Sequence, residues 1–400
     1  MAIYLTVPLA RRIQRFVYVR WGREVFLYFV LSVLALGFLI LLSVLIVKLK
    51  IKTPSNYIWL LITGGLYAYF ALQLKSSPEE AVHFLEYGLL GYFLFRALNL
   101  SIRDKSVYLS ATLFALLIGT FDEILQWIIP LRYWDFRDAG LNGLSGGLFQ
   151  LAVWKVVKPK TTRDKFSRRS YRTLTIIFSV CLALFALCAS NTPKRVAVYT
   201  RWLPILSFLQ KEEPMSEFGF KHRDRDIGIF YSRLSLAELK KTDATQSDYW
   251  APILDTSKDI RYDDFLAKYP PLTFPFLYEL RVHTYRRNTY YGKADSASSP
   301  KDRKEFCWIA YKEDLILRKY FSQTYAKSLY RWDDSVFSNI CGAVDKSKPY
   351  KSAVSARLIT AFSERTMWAV VLSVILILNI INRIWRFQER RRESPRQPVS

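Results

Sequence analysis

Apolar residues in this 400-residue chain are gathered into long blocks separated by basic stretches. A hydrocarbon core about 30 Å thick needs roughly 20 apolar residues of helix. The blocks predict seven spans, near 25–47, 57–74, 82–100, 107–129, 138–157, 173–190 and 366–383. Residues 191–365 contain no such block and read as one water-soluble domain inserted between the sixth and seventh spans. The expected fold class is therefore mainly α: a polytopic α-helical membrane protein carrying a helix-rich soluble domain. Its segments are a basic arm (1–24), a first hydrophobic helix and loop (25–56), a membrane domain (57–157), and a basic loop with the sixth span (158–190). The soluble domain (191–365) and the last span with its basic tail (366–400) follow. The first block is too long for a signal peptide and is followed by "KLKIK" rather than a small-residue cleavage site, so it reads as a retained anchor.

Within 191–365, Ser235 is placed to cap a helix from about 236, with Glu238 as its capping-box partner. "FPFLYELRVHTYRRNTYY" after Pro275 and the run from Arg303 to Trp332 have helical spacing. Residues 293–304, rich in serine and lysine, read as a loop. Glu279 and His283, four apart, read as an ion pair on one helix rather than zinc ligands. His222 has no accompanying ligands. Cys181 and Cys188 lie within the sixth span, and an oxidising compartment would permit a bridge between Cys307 and Cys341. The tail "QERRRESPRQPVS" reads as disordered and drawn toward anionic lipid.

Charge changes the picture next. With 58 Lys or Arg against 34 Asp or Glu, the net charge is +24, yet the basic residues cluster beside the spans rather than along one soluble face. That distribution argues against nucleic acid and for orientation charges and lipid headgroups. If the loops after spans one, three and five and the C-terminal tail are cytoplasmic, twenty Lys or Arg lie inside and eight outside, which makes the soluble domain extracytoplasmic. The five arginines of the N-terminal arm then fall outside, a conflict that disappears if the first block is re-entrant or interfacial.

The start of span three, the end of span four and the start of span five share one membrane face under this topology, and those ends carry the unusual polar residues. Span three offers His83 and Glu86 on one face, and span four closes with Asp122, Glu123 and Gln126 ahead of Pro130. Asp122 and Gln126 share a face, with Glu123 turned by about 100°. The loop adds Arg132, Asp135 and Arg137, and span five opens with Asp138 and Asn142, followed by Gly146 and Gly147. An aspartate at mid-span costs about 2.5–3.5 kcal/mol on insertion scales, so Asp122 must pair, take a proton or border water. Two readings stand. In the structural one, Asp138 caps the fifth helix, Arg132 and Arg137 neutralise Asp122 and Glu123, and the glycines allow close packing. In the functional one, the cluster is an outer-leaflet pocket for a phosphate, a sugar or a divalent cation.

The succession "HFLEYGLL", "DEILQ" and "PLRYWDFRDAGLNGLSG" resembles the VanZ-like family of bacterial membrane proteins. The matching positions are His83, Glu86, Tyr87, Asp122, Glu123, Gln126, Pro130, Arg132, Asp135, Asp138, Asn142 and Gly146, within residues 57–157. Leu125 stands where many members have histidine, and Leu131 replaces the loop glycine. The resemblance implies a multi-pass protein of the bacterial cytoplasmic (inner) membrane and a cell-envelope role linked to glycopeptide antibiotic resistance; no reaction is established for the family. The expected function is binding of a lipid headgroup or lipid-linked cell-wall precursor, with Arg132 and Arg137 on an anionic group. The alternative is a transferase or hydrolase acting on a lipid-linked substrate, with Asp122 or Glu123 as general base and Asp135 with Asp138 holding Mg²⁺. In a third reading the spans anchor a domain that binds other envelope proteins. No nucleophile motif, glycine-rich phosphate loop or second carboxylate constellation in 191–365 singles out catalysis.

Overall fold

The computed structural model describes residues 16–22, 24–129, 132–164, 166–210, 214–257, 260–345 and 347–393, without the side chains at 76, 78, 79, 263, 339–343 and 389–393. Most of the N-terminal arm, Pro130, Leu131 and the end of the C-terminal tail therefore lie outside the described residues, and so do the expectations attached to them. The fold is mainly helical, with 73% helix. It divides into two compact units: the described residues up to Cys188 together with those from Trp368 onward, and Ala189–Met367.

The first unit contains helices α1 (Val25–Ser43, prolonged by a π turn to Lys48), α2 (Pro54–Gln73), α3 (Pro78–Leu98), α4 (Ser106–Trp127), α5 (Phe136–Ala152, prolonged by a π turn to Val157) and α6 (Arg168–Ala189). Among the described residues four helices are long and apolar enough to cross a membrane: Val25–Lys48, Ser106–Trp127, Arg168–Ala189 and Glu364–Gln388. The other three expected spans coincide with α2, α3 and α5, which are helical but too polar to join that group. Asn56, Gln73, glycines and tyrosines dilute α2, and charged residues with histidine or asparagine dilute α3 and α5.

Helix α5 packs against both α3 and α4, and its glycines set how closely. A Cβ on Gly146 would stand 2.5 Å from Ala115 Cβ, and one on Gly143 would stand 2.8 Å from Leu116 Cδ1. Small residues let backbones approach and recover dispersion contacts. Polar groups then close over the seam. Tyr67 Oη donates to Ser145 O at 2.6 Å and Gln150 Nε2 to Gly91 O at 2.7 Å. The hydroxyl of Ser145 donates to the carbonyl of Phe84. At the other end of α4, Asp104 accepts from the Ser106 backbone (3.0 Å) and the Ser167 backbone (2.9 Å), so one carboxylate fastens two chain segments.

The unit Ala189–Met367 opens with helix α7 (Pro193–Trp202). Strands β1 (Phe220–Asp224) and β2 (Gly228–Ser232) form an antiparallel hairpin, which β3 (Tyr350–Lys351) joins in parallel beside β2. Gly228 has φ +113°, and a Cβ there would meet Tyr350 O at 2.2 Å, so no other residue fits. Helix α8 (Leu236–Thr256) begins with the expected capping box of Ser235 and Glu238. Helices α9 (Tyr262–Lys268), α10 (Pro275–Asp295), α11 (Pro300–Tyr320), α12 (Ser322–Lys327) and α13 (Asp334–Ala343) follow. Phe230, Leu239, Leu277, Leu280 and Leu317 are among the side chains of the apolar core.

Several local expectations are corrected here. The loop expected over 293–304 is confined to residues 296–299: α10 runs to Asp295 and α11 starts at Pro300. The run from Arg303 breaks at Phe321 because buried Asp243, reaching over from α8, caps the next helix by accepting from the backbone N–H groups of Gln323 and Thr324, both at 2.9 Å. Glu279 and His283 do not pair with each other. Glu279 takes the Ser232 hydroxyl (2.5 Å) and Arg233 N–H (2.7 Å), while His283 Nδ1 lies 2.5 Å from Glu313. His222, on β1, contacts Leu234 O through Nε2 at 3.0 Å. Cys307 is a free thiol, and the Cys341 side chain lies outside the described residues, as does the bridge expected between them.

Buried carboxylates do gather in this unit, contrary to expectation, but in closed networks. Glu313 also accepts from Arg286 (3.0 Å), Ser352 (2.9 Å) and the Tyr350 hydroxyl. Asp314 holds Arg287 (2.8 Å), Arg318 (2.7 Å) and Tyr325 (2.5 Å). Burial by itself would raise the Glu313 carboxyl; His283, Tyr350 and Arg286 outweigh it and hold the group below its ordinary range. For Glu279 burial wins over Ser232 and Arg233, and the carboxyl is raised.

These contacts generate three expectations. Gly146→Ala should destabilise the first unit by roughly 1–3 kcal/mol through overpacking, whereas Gly140→Ala, with nothing within 4 Å of the added atom, should be neutral or better; thermal unfolding in detergent reads both. Glu313→Gln removes the charge that Arg286, Ser352 and Tyr350 donate to and should cost about 3–5 kcal/mol, against under about 0.5 kcal/mol for Asp264→Asn on the surface. Burial raises the Asp224 carboxyl, but Lys319 and Tyr320 pull it down to about 2. Its stabilisation is therefore present above the unfolded aspartate value near 4 and lost as pH falls toward about 2. In Asp224→Asn the acid-induced drop in melting temperature across that window should be smaller.

Candidate functional site

The polar cluster lies where α3, α4 and α5 meet. Two turns of α3 present Glu80, His83, Glu86 and Tyr87; His83 Nδ1 is 3.2 Å from Glu86 Oε2, and both side chains are part-exposed. The last turns of α4 present Asp122, Glu123 and Gln126, all buried. The helix ends at Trp127 with Ile128 as its cap, ahead of Pro130.

The 100° turn between adjacent residues separates the two acids. Asp122 faces α3, bordered by Tyr87 and in electrostatic reach of His83 and Glu86. Glu123 faces the other way, in reach of Asp138, Asp135 and Arg132. Gln126 ties them together: its Nε2 lies 3.1 Å from Asp122 Oδ2 and 3.4 Å from Glu123 Oε1, and its Oε1 accepts from Arg132 Nη1 at 2.6 Å.

The roles within the loop differ from the structural reading of the sequence. Asp135, not Asp138, caps α5, its Oδ1 accepting from Arg137 N–H at 2.8 Å. Asp135 is one residue before the helix with extended backbone, which is what a cap requires, whereas Asp138 already lies in the first turn. Arg137 reaches across to Glu80 at 3.2 Å rather than to Asp122 or Glu123. Asp138 is thereby released from capping, and its neighbours are Glu80, Asp135, Arg137 and His83.

Asn142 is buried against Gly119, where a Cβ would stand 2.6 Å from Asn142 Cβ. Its place is within the α4–α5 seam, one turn below Asp138. Two carboxylate oxygens in the cluster, Asp122 Oδ1 and Asp138 Oδ1, are buried and accept no hydrogen bond. The buried indole N–H of Trp134, in the same loop, likewise has no acceptor. Such atoms cost about 1–3 kcal/mol each when nothing meets them.

Glu80 is the residue that reading the sequence passed over. It opens α3 only three residues before His83, so its spacing to that residue was the available signal. Among the described residues no three His, Cys, Asp or Glu side chains form a set able to hold a metal ion. Six carboxylates thus share the cluster with two arginines and one histidine, and both arginines are already engaged. Chemically the cluster is acceptor-rich, and a phosphate would find donors in it only if the arginines were released. No protein-family model, curated protein or solved structure matches the chain.

Proposed function

We propose that the protein is a seven-span membrane protein of the VanZ-like kind in the bacterial cytoplasmic membrane, whose α3–α4–α5 cluster binds the polar headgroup of a lipid or of a lipid-linked cell-wall precursor. Residues 191–365 form an extracytoplasmic domain in this reading, as the distribution of Lys and Arg over the loops supports. The observation that carries it is the pair of buried, unmet carboxylate oxygens at Asp122 and Asp138. Buried acceptors that the fold leaves unmet call for a donor from outside it.

The same observation favours one kind of bound group. Arg132 and Arg137 are occupied by Gln126 and Glu80, so the headgroup offers its donor end, a primary ammonium or sugar hydroxyls, to Asp122 and Asp138. A phosphate belongs at the edge of the cluster, near exposed Arg137, rather than at its centre. Catalysis is not needed for this role.

Native mass spectrometry of the full chain in nanodiscs of equal phosphatidylethanolamine, phosphatidylcholine and phosphatidylglycerol tests the reading. The ethanolamine lipid, which carries N–H donors, should be retained about tenfold over the choline lipid, a difference of about 1.4 kcal/mol. Asp138→Asn should abolish the preference while leaving the melting temperature unchanged. Preference for phosphatidylglycerol would replace the donor end by an anionic one; unselective retention in wild type and variant alike would remove the pocket.

A further inference from the structure

Helix α7 and the 3₁₀ turns Pro204–Gln210 are the first segment after the candidate span Arg168–Ala189. One side of this segment is firmly held. Val196 and Leu209 are buried, the Thr200 hydroxyl donates to Val196 O at 2.7 Å, and Gln210 Nε2 donates to Thr200 Oγ1 at 2.5 Å.

The other side carries large apolar residues turned outward. Trp202 is 82% exposed and Ile205 84%, with Val198 and Leu203 more than half exposed beside them. Four such side chains on a pinned backbone form a patch that water does not favour. Lys194, Arg195 and Arg201 border it, and residues 191–211 contain no Asp or Glu. Arg195 pairs with Glu364, the first residue of helix α14 (Glu364–Glu393), and Phe362 just before it is also exposed.

We infer that residues 193–205 lie in the membrane interface, with Val198, Trp202, Leu203 and Ile205 sunk at the boundary of headgroups and acyl chains. Lys194 and Arg201 lie at the level of anionic headgroups. Chain length favours lipid over any other cover. Pro193 is four residues beyond the end of a candidate span, and four extended residues reach about 14 Å. Arg195 is held to the first residue of the helix that supplies another candidate span. Tryptophan, aliphatic side chains and flanking lysine and arginine are the composition that anionic bilayer surfaces take up. The inference rests on those two helices crossing the membrane and is independent of the polar cluster.

Site-directed spin labelling of the full chain in vesicles of phosphatidylcholine with phosphatidylglycerol tests it. Ile205→Cys and Trp202→Cys are made in a Cys307→Ser, Cys341→Ser background, Cys181 and Cys188 being buried. A label at Tyr249→Cys, exposed on α8, serves as the water-facing control. Labels at 202 and 205 should show a ratio of oxygen to nickel-chelate accessibility several-fold above the control. Equal ratios would place the patch in water and overturn the inference. Shielding from both probes would mean that protein covers the patch, and would overturn it as well.

Discussion

Everything at the polar cluster depends on how closely α5 approaches α4 and α3. Backbones come this near only where Cβ atoms are missing, and Gly143 and Gly146 supply that absence where Leu116 and Ala115 face them. The glycine seam brings Glu123 and Asp138, from different helices, into electrostatic reach. It also forms the wall against which Asn142 is buried. Without that approach the carboxylates of α4 and α5 would stand apart; with it they share one polar cluster.

The two units handle buried charge in opposite ways. In Ala189–Met367, Glu313 and Asp314 each gather a ring of donors, and the networks are complete within the fold. Such sites specify a packing arrangement and are closed to chemistry. In the α3–α4–α5 cluster acceptors outnumber donors, and the surplus lies on residues from two different helices. The contrast separates carboxylates whose partners the fold supplies from carboxylates it leaves with an unmet oxygen.

Much of the helical layout was legible in the sequence because it follows from local signals. Apolar block length located helices, four of them among the described residues long and apolar enough to cross a membrane, and Ser235 with Glu238 located the start of α8. The facing of Asp122 and Glu123 toward different helices follows from helical pitch. What was not legible depends on partners far away in the chain. Whether Asp135 or Asp138 caps α5 turns on where one helix begins, within a residue or two. The destination of Arg137 turns on Glu80, 57 positions earlier. His283 finds Glu313 rather than Glu279 because α11 lies alongside α10, and the break at Phe321 needs Asp243 from α8. Spacing along one helix carries none of that information.

The two ends of the Ala189–Met367 unit are fastened to each other. Besides the Arg195–Glu364 pair, Ile359 N–H donates to Glu217 O at 2.8 Å and Gly219 N–H to Ile359 O at 3.1 Å. A module whose entry and exit are clamped together can occupy a connection between two helices without prying them apart, and can be gained, lost or exchanged as a cassette while its host keeps the same packing.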